Sequence, residues 1–395
     1  MSTKLLKESP RLQVVDALRG FALLAIVLIH NIEHYNLIAP VPYAPEWLKG
    51  ADTIISNVIM FLLAGKAYAT FSLLFGFSFY IQLSKRQARG ESFKGRFAWR
   101  MVLLILFSQL HALFYNGDIL FLYALMGFVL ILVCDLSNRT VFIIATICLL
   151  QPVEWIRVIC GFIYPDVETY GMYFYKYFQL ALPVMKDGTF FEILYSNITD
   201  GQLYSNLWQV ENGRLFQIPA LFMFGMLLGR CNYFIKSENS IRAWKRILLI
   251  SAIAFIPLYL LSVFIPDMTD IQAVKTPLHI ILPSFFNFNF MALLVSAFVL
   301  FWFQKDGYKF QRFIIPYGRM SLTNYIGQSI IGSILYLGYG FALAQYAGAT
   351  ISILIAIGIF TIQWLFSSYW LSIHKQGPLE TLWRRGTWCK NPFRK

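Results

Sequence analysis

The sequence predicts an all-α, polytopic integral-membrane bundle of about ten transmembrane helices, both termini cytoplasmic, forming one transmembrane domain over residues 1–395. Three observations predict it. Of the residues, 58% are hydrophobic and only 13% charged, against roughly 25% charge in a soluble domain, and mean hydropathy is +0.59. Apolar runs of about twenty residues recur along the whole length. Lysine and arginine collect in alternate connecting segments, as they do in cytoplasmic loops.

The runs fall at 17–38, 66–83, 97–115, 118–134, 139–160, 214–232, 247–265, 280–303, 317–340 and 349–373. Segment 53–64 is also apolar and reads as a re-entrant or interfacial helix ahead of the second run. The tail 1–16 carries Lys4, Lys7 and Arg11, and the segment after the second run carries Lys85, Arg86, Arg89, Lys94, Arg96 and Arg100. Both are cytoplasmic by the positive-inside rule, as are the stretch from Arg230 to Arg246, the stretch from Lys305 to Arg312, and the tail 374–395. The intervening segments are acidic or uncharged. The formal charge of +13 is therefore topological and excludes a nucleic-acid footprint. The location expected is the inner, cytoplasmic membrane, with lipids as surroundings and an uncleaved signal anchor at the N-terminus.

Residues 161–213 form the longest outer-face segment and interleave aromatic with polar residues, Tyr164 to Trp208. Such aromatics prefer the headgroup level, so short surface helices are expected, serving as a lid or as a platform for a carbohydrate or lipid acceptor. Cys134, Cys148, Cys160, Cys231 and Cys389 are scattered, without a CxxC pair, and imply neither a disulfide framework nor a zinc site.

Ionisable residues inside apolar runs are the candidates for chemistry, because each costs on the order of 2.5 kcal/mol or more in hydrocarbon. Ten residues separate Arg19 from His30, which puts both on one helix face about 16 Å apart. Asp16, Arg19, His30, Glu33 and His34 share a sector roughly 100° wide. The spacing repeats between Arg100 and His111, on a run predicted to point the same way. Both histidines should then sit at similar depth, with Asp118 and Lys66 at the same outer end, around a polar pocket. His30, His111 and Asp118 are the candidate catalytic groups. Arg19, Asp16, Arg96, Arg100, Lys66, Glu33 and His34 are the candidate substrate or donor contacts. A neutral histidine can take a proton from an attacking hydroxyl or amine, and arginines can hold a carrier's phosphates bidentately. His30 and His34 have helical zinc-pair spacing, but lack the His-Glu-x-x-His order and a third ligand, so no metal is expected. Ser321, Asn324 and Gln328 form a further stripe suited to interhelical hydrogen bonds.

Asp16-Ala17-Leu18-Arg19-Gly20, Gly65-Lys66, Leu74-Phe75-Gly76, His111-Ala112-Leu113, Gly117-Asp118-Ile119-Leu120, Gly318 to Tyr325 and Gly377-Pro378-Leu379-Glu380 together resemble the YeiB-like membrane proteins, grouped as domain of unknown function 418. The first motif is also similar to that of the wider transmembrane acyltransferases, the acyltransferase-3 and heparan N-acetyltransferase groups. In the acyltransferase-3 group an arginine and a histidine ten residues apart are held to be essential, and the resemblance maps them onto Arg19 and His30. Many YeiB-like members carry asparagine where this chain has His30. The resemblance implies an acyltransferase that moves an acyl group from a cytoplasmic donor, acyl-coenzyme A, to an envelope glycan, lipid or other acceptor. The other reading of the buried charges is a transporter or permease, in which they mark a substrate or proton path.

Overall fold

The computed structural model describes residues 12–37, 45–166 and 172–388. Lys4, Lys7 and Arg11 of the first tail, and Lys390, Arg394, Lys395 and Cys389 of the last, lie outside the described residues. Every regular element among the described residues is helical. Helices α1 (Gln13–Ile32), α2 (Glu46–Leu63), α3 (Lys66–Gln87), α4 (Lys94–Ala112) and α5 (Leu120–Val133) are followed by a bent pair, α6 (Asn138–Leu149) and α7 (Pro152–Ile163). The aromatic segment folds as α8 (Phe174–Asp187), α9 (Phe190–Ile198) and α10 (Asp200–Glu211). Then come α11 (Arg214–Arg230), α12 (Glu238–Phe264), α13 (Gln272–Trp302), α14 (Lys305–Gln311), α15 (Ile315–Arg319), α16 (Ser321–Tyr336), α17 (Ala349–Ile373) and α18 (Pro378–Trp388).

Several boundaries differ from the expectation, each for a local reason. The first run was expected to continue to 38, but α1 stops at Ile32, because His34, Tyr35 and Asn36 take left-handed backbone with φ of 46°, 53° and 70°. Such a backbone costs a tyrosine roughly 1–2 kcal/mol, offset here by burial of its ring among Tyr115, His30 and Tyr336. Segment 53–64 is part of α2, separated from α3 by a break at Ala64-Gly65 where Gly65 has φ of 80°. The run 139–160 bends by 41° between α6 and α7. Gln151 is left-handed there and Pro152 supplies no N–H to continue the first helix. The run 317–340 breaks at Met320 into α15 and α16.

By length and composition, five helical stretches can cross a membrane: Gln13–Ile32, Glu46–Gln87, Glu238–Met268, Gln272–Trp302 and Ala349–Ile373, with the bent α6–α7 pair as a sixth. The expected count was higher by four: α5, α11 and α16 are apolar but have only 14, 17 and 16 residues, and α4, of 19, carries Lys94, Arg96, Arg100 and His111. Isoleucines and leucines of α12 and α17, among them Ile253 and Leu354, remain well exposed, which suits a surface solvated by lipid rather than water.

Two close crossings hold the bundle. A Cβ at Gly76 would lie 1.8 Å from the Phe222 carbonyl oxygen, and one at Gly225 would lie 1.8 Å from that of Leu73, so α3 and α11 touch backbone to backbone. A Cβ at Gly318 would lie 1.9 Å from the Asp16 carbonyl oxygen, and one at Gly20 would lie 2.7 Å from that of Ile314. Thus α1 rests directly on the α14–α15 region. In lipid there is no hydrophobic drive between helices, so close packing of this kind carries the association.

Candidate functional site

Near the C-terminal end of α1 lies a cavity of about 470 Å³, walled by α1, the α2–α3 break, the α4–α5 turn, α10, α11, α13 and α16. Its volume falls in the range of small-ligand pockets. His30 reaches it from the last turn of α1, its ring 4.7 Å from that of Tyr115 and 6.3 Å from that of Tyr325, with Nδ1 buried and unpartnered. Glu33, one residue past α1, lines the same wall. Arg214 enters from the first residue of α11, turned inward by left-handed Gly213, whose carbonyl accepts from Gln151 Nε2 at 3.0 Å. Its guanidinium lies between the Tyr68 and Trp208 rings, 4.3 Å from each centroid. Tyr68 is itself pinned, donating to Gln217, which donates to Ser284. Burial pushes the Tyr204 phenol on α10 up to about 12, with the neighbouring Glu33 carboxylate adding to the shift, so it stays a donor in the cavity wall.

His111 lies one layer behind. Its Nδ1 is 2.7 Å from Asp118 Oδ1 and its Nε2 is 2.7 Å from Ser329 Oγ on α16, with all three residues buried. Asp118 also accepts from the backbone N–H of Leu120 at 3.0 Å and of Phe121 at 3.1 Å, capping the start of α5. Its carbonyl accepts from Gln209 and Ser205, which ties α10 over the α4–α5 turn. Asn197 on α9 donates to Leu113 O at 3.0 Å, so the aromatic segment is a three-helix cap with a bonded inner face. Tyr115 and Tyr325, which line the cavity, pack on the His111 ring at 5.6 and 4.7 Å and so lie against both histidines.

The other candidates are placed elsewhere. Arg19 donates to Asp16 Oδ1 at 3.0 Å and to Ser78 Oγ, at the opposite end of α1 from the cavity. Arg96 and Arg100 pack on α18: Arg96 donates to Thr387 O at 3.0 Å, and Arg100 lies 4.1 Å from the Trp383 ring while its carbonyl accepts from Trp383 Nε1. Lys66 turns away from the cavity, donating to Phe61 O at 2.7 Å among the Phe61, Phe286 and Phe290 rings. His34 does not share the face of His30. The left-handed turn after Ile32 ends the helical wheel and swings it onto Tyr336, with Nε2 3.1 Å from Ser352 Oγ on α17. The two histidines therefore do not form a helical pair.

Ser329, Arg214 and Tyr68 were not singled out from the sequence, whereas Trp208 was among the outer-segment aromatics. Ser329 follows Gln328 directly on the recognised stripe, and Arg214 opens an apolar run, which was its one visible signal. Of the stripe, Asn324 donates to Ser367 Oγ at 2.9 Å and to Tyr317 O, as expected of interhelical bonding. The side-chain amide of Gln328 is buried with neither atom partnered. The Gly377 to Glu380 motif has a clear task, since Glu380 accepts from the N–H groups of Leu322 and Thr323 at 2.7 and 3.1 Å and caps α16.

Residues 228–390 match the profile of the family described as "Protein of unknown function (DUF418)". Over that C-terminal segment the chain is similar to the DUF418 family. It is 26% identical to uncharacterized protein YxaH of Bacillus subtilis, over 96% of this chain and 94% of that one. To uncharacterized protein YeiB of Escherichia coli it is 26% identical, over 94% and 95%. It is 25% identical to an uncharacterized 39.9 kDa protein in the amylase 3' region of Bacillus acidopullulyticus. These relatives extend the likeness to the N-terminal half, which holds His30 and His111 and lies outside the profile. No solved structure matches the chain.

Proposed function

We propose that this protein is an integral-membrane acyltransferase, moving an acyl group from cytoplasmic acyl-coenzyme A to an envelope glycan, lipid or other acceptor. One observation carries the reading. His30 is an imidazole at the wall of a ligand-sized cavity, with a buried ring nitrogen that no protein group satisfies. Buried polar groups are normally hydrogen-bonded, and exceptions in a native site call for a functional reason. In the proposed step His30 accepts the proton of the acceptor's hydroxyl or amine. The acceptor oxygen or nitrogen bonds to the thioester carbonyl carbon, the C–S bond breaks, and the proton passes to the departing thiolate. Arg19 supplies a cation for the donor's phosphates at the other end of α1.

The reading includes ten membrane passes, both termini cytoplasmic, in the cytoplasmic membrane. Its support is that α1, α3, α4, α5, the α6–α7 pair, α11, α12, α13, α16 and α17 connect the basic end of the bundle to the cavity end in alternation. Cysteine labelling should reach positions near Lys94 and Arg242 from inside and near Asp187 from outside. For the chemistry, the purified protein in lipid is given acyl-coenzyme A, and free thiol release is followed with envelope extracts as acceptor. Acceptor-dependent thiol release upholds the proposal. Absence of release together with uptake of a solute into proteoliposomes replaces it with transport.

A further inference from the structure

The cavity holds two unmatched charges of opposite sign. Arg19 has Asp16, Arg157 has Glu154, and Arg230 has the carbonyls of Cys134 and Leu136. Arg214 differs: its guanidinium packs on two aromatic rings and makes no hydrogen bond or ion pair among the described residues, the Glu33 carboxylate acting on it only from across the cavity. Its N–H groups are therefore open to a ligand. An arginine fork so presented matches the planar oxygens of a carboxylate or phosphate. Across the same cavity the Glu33 side chain makes no ion pair or hydrogen bond among the described residues, with Asn36 and Asn212 also on the lining. A cation with no acceptor in direct contact, in a cavity walled by apolar helices, is costly, and a bound anion lowers that cost.

From this geometry we infer that the cavity binds a hydroxylated small ligand bearing a phosphate or carboxylate, its oxyanion on the Arg214 edge and its hydroxyls toward Glu33 and His30. The oxyanion is held away from His30, which leaves a hydroxyl as the group that meets the imidazole. Trp208 and Tyr204 offer ring surfaces for the C–H face of the carrier. That this ligand is the acyl acceptor rests on the acyltransferase reading; that it binds does not. Its source is either a lipid headgroup or a soluble anionic polyol.

The experiment is a titration of full-length protein in phosphatidylcholine nanodiscs with glycerol 1-phosphate, glucuronate, glycerol and glucose, followed by calorimetry, without any acyl donor. The charged probes are expected to bind and the uncharged ones to bind at least tenfold more weakly. Arg214→Gln should weaken the charged probes roughly ten- to a hundredfold and leave the uncharged ones unchanged. Arg214→Lys keeps a cation but loses the fork and the stacking, and is expected to bind several-fold more weakly than the native protein. It is the check should Arg214→Gln fail to elute as a single species. Nanodiscs containing phosphatidylglycerol distinguish the sources: competition with glycerol 1-phosphate identifies the headgroup, and lack of competition identifies the soluble compound. Equal binding of glycerol and glycerol 1-phosphate, or unaltered binding by both Arg214 variants, overturns the inference. If thiol release fails while Arg214-dependent binding persists, the enzyme reading falls and the subsite stands; the converse result removes the subsite alone.

Discussion

Helices α1 and α4 carry the same arginine-to-histidine spacing and put it to opposite uses. Both arginines lie at the end of the bundle near α15 and α18, and both histidines lie against Tyr115 and Tyr325 at the other end. Yet His111 has a partner on each nitrogen, 2.7 Å away in both cases, whereas His30 faces a cavity with Nδ1 unpartnered. Equal spacing therefore fixes depth and direction but not task. The difference comes from residues remote in sequence: Ser329 and Asp118 close one site, and the α2–α3 break with Arg214 opens the other.

Exchanging alanine for each histidine should separate the two sites most strongly. His30→Ala is expected to lower acyl turnover at saturating donor by about 10²–10⁴-fold while the protein stays folded. His111→Ala should instead destabilise the fold by roughly 3–5 kcal/mol, because Asp118 is then a buried carboxylate without its partner. Turnover and detergent thermal unfolding, measured on both variants, decide the matter. A fully active, well-folded His30→Ala would sink the assignment of His30, and an unchanged midpoint for His111→Ala would remove its anchoring role.

A smaller contrast is expected at the arginine ends. Arg19→Ala should raise the donor concentration needed for half-maximal turnover about ten- to a hundredfold, with Arg19→Lys a poor rescue because the fork is lost. Arg100→Ala should mainly loosen α18, by about 0.5–2 kcal/mol from the lost stacking on Trp383, seen as faster proteolysis after residue 377. Equal effects of the two on donor binding would mean that both helices serve the donor. Ser329→Ala is expected to cost about 1–3 kcal/mol by leaving His111 Nε2 unsatisfied, with donor affinity unchanged. A large fall in turnover without a shift in unfolding temperature would instead give Ser329 a part in the chemistry.

Much of this architecture was legible because hydrocarbon imposes simple rules. Apolar runs marked the helices, though α12 and α13 begin nine and eight residues ahead of theirs, and rare charges inside them marked His30, Glu33, His111 and Asp118, which do gather at one end. What stayed hidden was local backbone. Nothing in His34-Tyr35-Asn36 announces three left-handed residues, so a helical wheel carried past Ile32 placed His34 on the wrong face. Lys66 was read as a pocket-lining charge, but its direction depends on three phenylalanines, two of them more than 200 positions away. Arg214 was passed over because an arginine heading an apolar run is ordinarily an interfacial residue, and its aromatic clasp is tertiary.

The polar contacts of the first helices have a consequence for how the chain is made. Gly20 rests beside Ile314 and Gly318, Asn31 accepts from Tyr336, His111 meets Ser329, and Arg96 meets Thr387. Each of these partners is synthesised some two to three hundred residues later. During translation α1 and α4 therefore precede these partners, and keep only local ones, such as Asp16 for Arg19 and Asp118 for His111, until the later helices are made. The early helices are exposed to quality control over that interval.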